Sequence, residues 1–297
     1  MDESIGCIFQ VDKECNVSIL NTDLVSVSWL QEHISEPTLK IIDASWFMPG
    51  SERSGVKEWE GERIDRAVFF DFDQVIKDQE SELPHMLPSA DYFSEQVGLL
   101  GVQNDSDIVV YDSVGMFASP RVWWMFKAMG HNNVAVLDGG LPAWLSAGGK
   151  THKDAPSPVE KTDYKAELQS DWVISAKELE QKLESENCTV LDARPNNRFL
   201  AQVLEPRKGV RSGHMPGAKN LPFLELLVDG KLKSKQELSD LFDALAPVQD
   251  HYYFTCGSGV TACILALAAS LTGRYKLSVY DGSWTEWGSD ERYPVVK

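Results

Sequence analysis

Short runs of β-branched and aromatic residues alternate along this chain with stretches whose apolar positions recur at helical spacing. In the second half, Thr189 to Leu191, His251 to Thr255 and Leu277 to Tyr280 have strand character. Ser175-x-x-Glu178 and Ser234-x-x-Glu237 have capping-box spacing ahead of amphipathic segments. In the first half, Asp91 opens a helical stretch that Gly101 closes, and Ser119-Pro120 opens another. Strands separated by helical stretches need crossover connections, which predicts parallel sheets covered on both faces. The fold class expected is therefore α/β, with any ligand beyond the carboxyl ends of the strands.

The pattern occurs twice. Ile41-Ile42-Asp43-Ala44 is echoed by Val190-Leu191-Asp192-Ala193, and Val136-Leu137-Asp138-Gly139 with Trp144 by Val279-Tyr280-Asp281-Gly282 with Trp287. Gly148-Gly149-Lys150 through Ala155-Pro156-Ser157-Pro158 has the composition of a connector. The expected organisation is a first domain over 1–150, a linker over 151–168 and a second domain over 169–297.

Composition narrows the function. The 297 residues carry 28 Lys and Arg against 45 Asp and Glu, a formal charge of −17. That balance argues against binding nucleic acid through released counterions, and against docking on an anionic membrane. The longest apolar run, Ala262 to Ala269, is far short of the roughly 20 residues of a membrane helix. Met1-Asp2-Glu3-Ser4 lacks the features of a secretory or mitochondrial leader, so the expected compartment is the cytoplasm. Five scattered cysteines, Cys7, Cys15, Cys188, Cys256 and Cys263, form neither a disulfide framework nor a zinc motif. No metal or other cofactor is expected.

The chemistry concentrates after the strand His251 to Thr255. There Cys256-Gly257-Ser258-Gly259-Val260-Thr261 leads into the apolar helical run beginning at Ala262. A thiol at a strand end, facing a glycine-bearing turn and a helix N-terminus, is placed where several backbone N–H groups can converge on one anion. The helix dipole alone would lower a thiol pKa by about one unit, so direct N–H contacts must supply the rest. A buried cysteine is more often inert; Gly257 and Gly259 shift the balance toward reactivity, because they permit close backbone approach or positive φ. Cys263 and Cys188, in an apolar helical run and beside a strand, read as core. No Lys follows Gly259, which excludes a phosphate-binding P-loop. A cysteine phosphatase needs an Arg six positions after its nucleophile, where this chain has Ala262.

This loop resembles that of the 3-mercaptopyruvate sulfurtransferases, two-domain members of the rhodanese superfamily. The resemblance runs from about Leu24 to Trp287. It includes Asp43-Ala44-Ser45-Trp46, Pro84-His85-Met86-Leu87-Pro88, Ser119-Pro120-Arg121-Val122-Trp123-Trp124, Gly213-His214-Met215-Pro216-Gly217-Ala218 and Tyr280-Asp281-Gly282-Ser283-Trp284. It implies tandem rhodanese-like domains, each a mainly parallel sheet flanked by helices, the first inactive and the second catalytic. The first copy carries Asp112 where the second carries Cys256. The resemblance also implies that Cys256 takes sulfur from 3-mercaptopyruvate as a persulfide, releases pyruvate, and yields the sulfur to a thiol such as thioredoxin or to cyanide. Arg198 and Arg207 match substrate-binding arginines, suited to gripping a carboxylate. The resemblance also makes Gly257, Gly259, Val260 and Thr261 of the loop substrate-binding. Asp73, His85 and Ser258 match a proton-relay set, and that match would bring His85 across from the first domain. The first copy departs from the family at Glu62-Arg63-Ile64-Asp65-Arg66-Ala67, so the conformation of that loop does not carry over.

Thiosulfate sulfurtransferases of the same fold carry cations in the loop after the cysteine, where this chain has Gly257 and Ser258. A neutral loop with arginines outside it favours a monocarboxylate donor. The competing readings are a thiosulfate:cyanide sulfurtransferase and a non-catalytic persulfide carrier, with a phosphatase more remote. A monomer is the default for tandem domains that bury surface against each other.

Overall fold

The computed structural model describes residues 18–183, 188–246 and 250–297; Cys7, Cys15 and the segment Met1 to Ser4 lie outside them. The first repeat holds strands β1 (Leu24–Val25), β2 (Leu39–Asp43), β3 (Arg63–Ile64), β4 (Val68–Phe69), β5 (Asp107–Tyr111), β6 (Val134–Leu137) and β7 (Thr151–His152). Its helices are α1 (Val27–His33), α2 (Gly55–Gly61), α3 (Ala90–Leu99), α4 (Ser119–Ala128) and α5 (Gly140–Ser146). The second repeat holds β8 (Val173–Ile174), β9 (Cys188–Asp192), β10 (Lys219–Asn220), β11 (Leu227–Val228), β12 (Lys231–Leu232), β13 (His251–Thr255) and β14 (Leu277–Tyr280). Its helices are α6 (Ala176–Lys182), α7 (Asn196–Phe199), α8 (Lys235–Asp243), α9 (Ala262–Leu271) and α10 (Ser283–Ser289).

Each repeat builds one five-stranded sheet, in the orders β1-β6-β5-β2-β4 and β8-β14-β13-β9-β10. Every pairing within the two sheets is parallel. The orders are the same under the correspondence of β5 with β13 and β6 with β14. The central strands are apolar on both faces, as crossover helices on both sides require: every residue of β5, β6 and β14 is buried. Both capping boxes form, at Ser175 with Glu178 and at Ser234 with Glu237. Helix α3 begins one residue before Asp91, because the hydroxyl of Ser89 takes the N–H of Tyr92 and is the actual N-cap.

The departure at 62–67 has less effect than the sequence implies. Arg66, at φ 63°, adopts the left-handed turn that Gly217 makes in the second repeat at φ 74°. The same backbone bond closes both turns, Ala67 N–H to Ile64 O and Ala218 N–H to Met215 O, each at 3.1 Å. Strand β7 pairs antiparallel with β3, and His214 bridges Val296 in the corresponding way.

The largest core cluster runs through both repeats. It joins Trp123, Trp124 and Phe126 of α4 to Ile264, Leu265 and Leu267 of α9. Helix α9 is buried all round from Ala262 to Ser270, because its own sheet covers one side and α4 the other. The longest apolar run in the sequence is thus an interdomain helix. Among the described residues no helix is long and apolar enough to cross a membrane.

Candidate active site

Cys256 follows the last residue of β13 and is 2% exposed. The loop that carries it is anchored on α10. The Cys256 N–H donates to Ser283 Oγ at 3.2 Å, and the Cys256 carbonyl accepts from Trp284 N–H at 3.0 Å. The Gly257 carbonyl accepts from both the N–H and the hydroxyl of Thr285, at 2.9 and 2.6 Å.

The first repeat shows what this loop geometry does. Asp112, at the position of Cys256, is fully buried and fills the loop with its own carboxylate. One oxygen accepts the N–H groups of Val114 and Gly115; the other accepts those of Phe117, Ala118 and Ser119 and the Ser119 hydroxyl. These contacts span 2.7 to 2.9 Å. The loop is therefore an anion cradle, and in the second repeat the matching N–H groups are those of Ser258, Gly259, Thr261 and Ala262, while the Cys263 N–H turns to the Val260 carbonyl at 3.2 Å. The other two described cysteines differ in character. Burial pushes the Cys263 thiol far up, and it donates to the Gly259 carbonyl at 3.2 Å; burial also pushes Cys188 up to about 11.

Two guanidinium groups border the loop. Arg198, on α7, gives Nε and Nη2 to Glu205 at 3.2 and 2.5 Å, and a methyl group on Gly257 would lie 3.3 Å from its Nη2. Arg207 donates to Thr285 Oγ1 at 3.3 Å, on the residue that also holds Gly257. Burial holds Arg207 below the usual arginine range, with neighbouring Cys256 acting against that shift and the Arg198 charge adding to it. Glu205, nearly fully buried, also takes Arg194 at 3.0 Å, so one carboxylate fixes two arginines.

From the first repeat, His85 Nδ1 meets Asp73 Oδ1 at 2.8 Å. The imidazole is 1% exposed and packs edge-on against Trp46 and Phe72. Burial lowers the His85 pKa, opposed by the Asp73 hydrogen bond and assisted by the charges of Arg121 and Arg207, so the ring is neutral at pH 7. Burial would raise Asp73, but hydrogen bonds from His85, Gln74 and Trp46 hold it below the usual carboxylate range. Ser258 is 7% exposed in the loop itself. Fully buried Arg121 joins the two halves: its Nη1 reaches the Gly259 carbonyl at 3.3 Å and its Nη2 the His85 carbonyl. The structure thus brings Cys256, Ser258, Arg198, Arg207, Asp73 and His85 to one interdomain cleft. Glu205 and Thr285 escaped the sequence reading. Glu205 had one visible signal, an acid lying between two candidate arginines.

A buried thiol on an anion-cradling loop at the carboxyl edge of a parallel sheet, flanked by arginines, defines an enzyme that transfers a group through cysteine. The model of the rhodanese-like domain matches residues 26–147 and again 175–290. The human 3-mercaptopyruvate sulfurtransferase is 40% identical over 278 residues, 89% of this chain and 91% of that protein. An Arabidopsis thaliana protein named thiosulfate/3-mercaptopyruvate sulfurtransferase 1, mitochondrial, is 38% identical over 92% of this chain and 77% of its own. The crystal structure of SseA, a 3-mercaptopyruvate sulfotransferase from Escherichia coli, superposes with a TM-score of 0.81 at 35% identity, covering 89% of this chain and 99% of that one. The chain belongs to the rhodanese-like family. It is a sulfurtransferase with two such domains.

Proposed function

We propose that this enzyme takes sulfur from 3-mercaptopyruvate through a persulfide on Cys256 and passes it to a thiol. The observation that carries this reading is the pair Arg198 and Arg207 beside a loop whose own side chains after the cysteine are neutral. Two guanidinium groups outside the cradle suit the carboxylate of an oxo acid. A dianion such as thiosulfate would be served better by cations within the loop. Glu205 occupies Nε and Nη2 of Arg198, which leaves Nη1 for the donor.

With the carboxylate held, the Cys256 thiolate attacks the donor sulfur. The S–S bond forms as the C–S bond breaks, and the electron pair leaves as the enolate of pyruvate. The proton of the donor thiol ends on the methyl carbon of pyruvate. Neutral His85, oriented by Asp73, is suited to accept and return it, with the Ser258 hydroxyl as the third member of the relay. The N–H groups of Ser258, Gly259, Thr261 and Ala262, which match those that hold a carboxylate in the first repeat, then surround the persulfide, with Gly257 and Val260 lining the same loop. A thiolate acceptor attacks the outer sulfur and restores the Cys256 thiolate. Thioredoxin, with a second thiol to complete the exchange, is the acceptor we favour, and cyanide would take the same sulfur as thiocyanate.

On this reading residues 1–150 form an inactive domain that supplies His85 and Asp73, 151–168 connect, and 169–297 carry the nucleophile. The enzyme acts as a monomer, because each site is completed within one chain. We place it in the cytoplasm, with the free thiols Cys188, Cys256 and Cys263 in keeping with a reducing compartment. The mitochondrial matrix is the alternative that imaging of the tagged full-length chain separates.

The test is pyruvate release from 3-mercaptopyruvate with a thiol acceptor, beside thiosulfate as donor, with intact-mass measurement of the enzyme. The expected result is preference for mercaptopyruvate and an adduct of about 32 Da, one sulfur atom, that is lost in Cys256→Ser. Equal or better turnover of thiosulfate would overturn the donor assignment. An adduct without turnover would make the protein a carrier.

A further inference from the structure

His85 sits in a backbone conformation that its side chain does not favour. Its φ is 62°, in the left-handed region, and the second repeat shows how the fold otherwise makes this turn. There Gly230, at φ 75°, stands in the corresponding place, two residues before a leucine whose N–H crosses to the other domain. The Leu232 N–H reaches Asp138 Oδ1 of the first repeat at 3.1 Å, and the Leu87 N–H reaches Asp281 Oδ2 of the second at 2.6 Å. The two loops are pseudo-symmetric, with glycine in one and the active-site imidazole in the other. A histidine here persists only if its surroundings hold the backbone.

The restraint is specific to the catalytic side. Arg121, on α4, is fully buried. Its Nη2 donates to the His85 carbonyl, its Nη1 donates to Asp281 Oδ1 at 2.5 Å and to the Gly259 carbonyl at 3.3 Å, and its guanidinium lies over Trp124 at 4.5 Å. Asp281, 2% exposed, accepts the Leu87 N–H on its other oxygen. One ion pair therefore grips the peptide groups flanking His85–Leu87 and the active-site loop together. The matching carboxylate, Asp138, is less buried and has the charge of Lys231 from the other domain in its surroundings; helix α9 supplies no arginine in the place of Arg121. Gly259 fits the same design. A methyl group there would lie 2.7 Å from Asp281 Oδ1 and 2.9 Å from Arg121 Nη1, so the loop approaches the pair as closely as a glycine permits.

We infer that Arg121 and Asp281 are positioning residues for sulfur transfer: their buried interdomain ion pair holds His85 in its left-handed conformation and fixes it against the Cys256 loop. The inference rests on the proposed role of His85, and the experiment separates the two. Arg121→Met with Asp281→Leu replaces the pair by apolar groups of similar volume, a change that buried ion pairs often tolerate in stability. The variant is compared with His85→Gln and with the triple combination, measuring kcat and KM for pyruvate release from 3-mercaptopyruvate.

The expected result is a fall in kcat of about 100-fold in both the paired variant and His85→Gln, the lower end of the range for a lost proton-transfer group, with KM within about threefold. In the triple variant the loss should equal that of His85→Gln alone, because all three changes remove one function. Arg121→Lys keeps the charge opposite Asp281 but lacks the planar fork that spans three oxygens, so it should recover kcat only in part. It also carries the test if the apolar pair fails to fold. Undiminished kcat in the paired variant, or in Arg121→Lys where that is the variant that folds, beside a crippled His85→Gln would overturn the inference. Losses that multiply in the triple variant would do the same, since the pair would then act apart from His85. Full activity in His85→Gln would instead remove the proposed role of His85, and the inference with it.

Discussion

Cys256 and Asp112 occupy the same place in two copies of one loop, and the difference between them decides which copy does chemistry. In the first, a carboxylate one bond longer than a thiol reaches the backbone donors and saturates them. In the second, the shorter thiol leaves room in the cradle, and a persulfide extends the side chain by one more atom into it. Binding of the donor then falls to Arg198 and Arg207. Charge-assisted hydrogen bonds are worth about 1.5 to 3 kcal/mol, so Arg198→Ala or Arg207→Ala should raise KM for mercaptopyruvate by roughly 10- to 100-fold, with a smaller change in kcat. Steady-state kinetics decides this, and an unchanged KM in both would place the carboxylate elsewhere. Glu205→Gln offers a finer check. It weakens the anchor of Arg198 while Arg194 keeps Asp192 at 2.6 Å, so KM should rise by less than in Arg198→Ala with the fold retained. A KM equal to that of the parent enzyme would show that Glu205 serves the fold alone.

At the level of elements, the interior strands β2 and β9 end on matching aspartates in different surroundings. Asp192 is paired with Arg194, two residues on, whereas the first repeat has Ser45 at that place. Asp43 consequently has hydrogen bonds from Ser45 and Tyr111 but no cation, and burial pushes its carboxyl up to about 6. A folded-state pKa above the unfolded value of about 4 means that the native state binds the proton more tightly. This group therefore stabilises most when protonated, and its contribution is lost as pH rises from about 4 to about 6. The full difference is on the order of 3 kcal/mol. Asp43→Asn should gain stability relative to the parent chain across that interval, measured by urea unfolding at several pH values; parallel pH profiles for the two proteins would refute the argument.

The elements themselves were legible. Strand runs, capping boxes and the twofold recurrence all follow from local patterns that side-chain period and capping chemistry write directly into sequence. The left-handed turn at Arg66 was hidden because the residue type argues against it, and only its packing and backbone bonds hold it there. The same holds for His85. Cys256 could be singled out from its glycines, and Glu205 lies near its arginines in sequence, but the contacts of Thr285 and Arg121 depend on residues tens of positions away, and no local rule reports them.

For the whole molecule, the decisive fact is that the core does not stop at the domain boundary. The α4 and α9 helices bury their apolar faces against each other within one cluster. The contact is reinforced at its edge by Asp23, which takes Lys127 at 2.8 Å and the hydroxyl of Ser270. Tandem domains joined by a polar interface would be expected to unfold separately, and chains of this length commonly do. Here neither repeat can lose its structure without exposing the other's helix. The chain should therefore unfold in one cooperative transition, with calorimetric and van't Hoff enthalpies in agreement. Trp124 probes the coupling, since it is fully buried in α4 and donates to the Trp172 carbonyl at 3.0 Å. Trp124→Ala should cost roughly 3 to 5 kcal/mol and lower the whole transition as a unit. Two resolved transitions, with only one displaced by the substitution, would show that the domains fold independently and that the cleft between them is assembled afterwards.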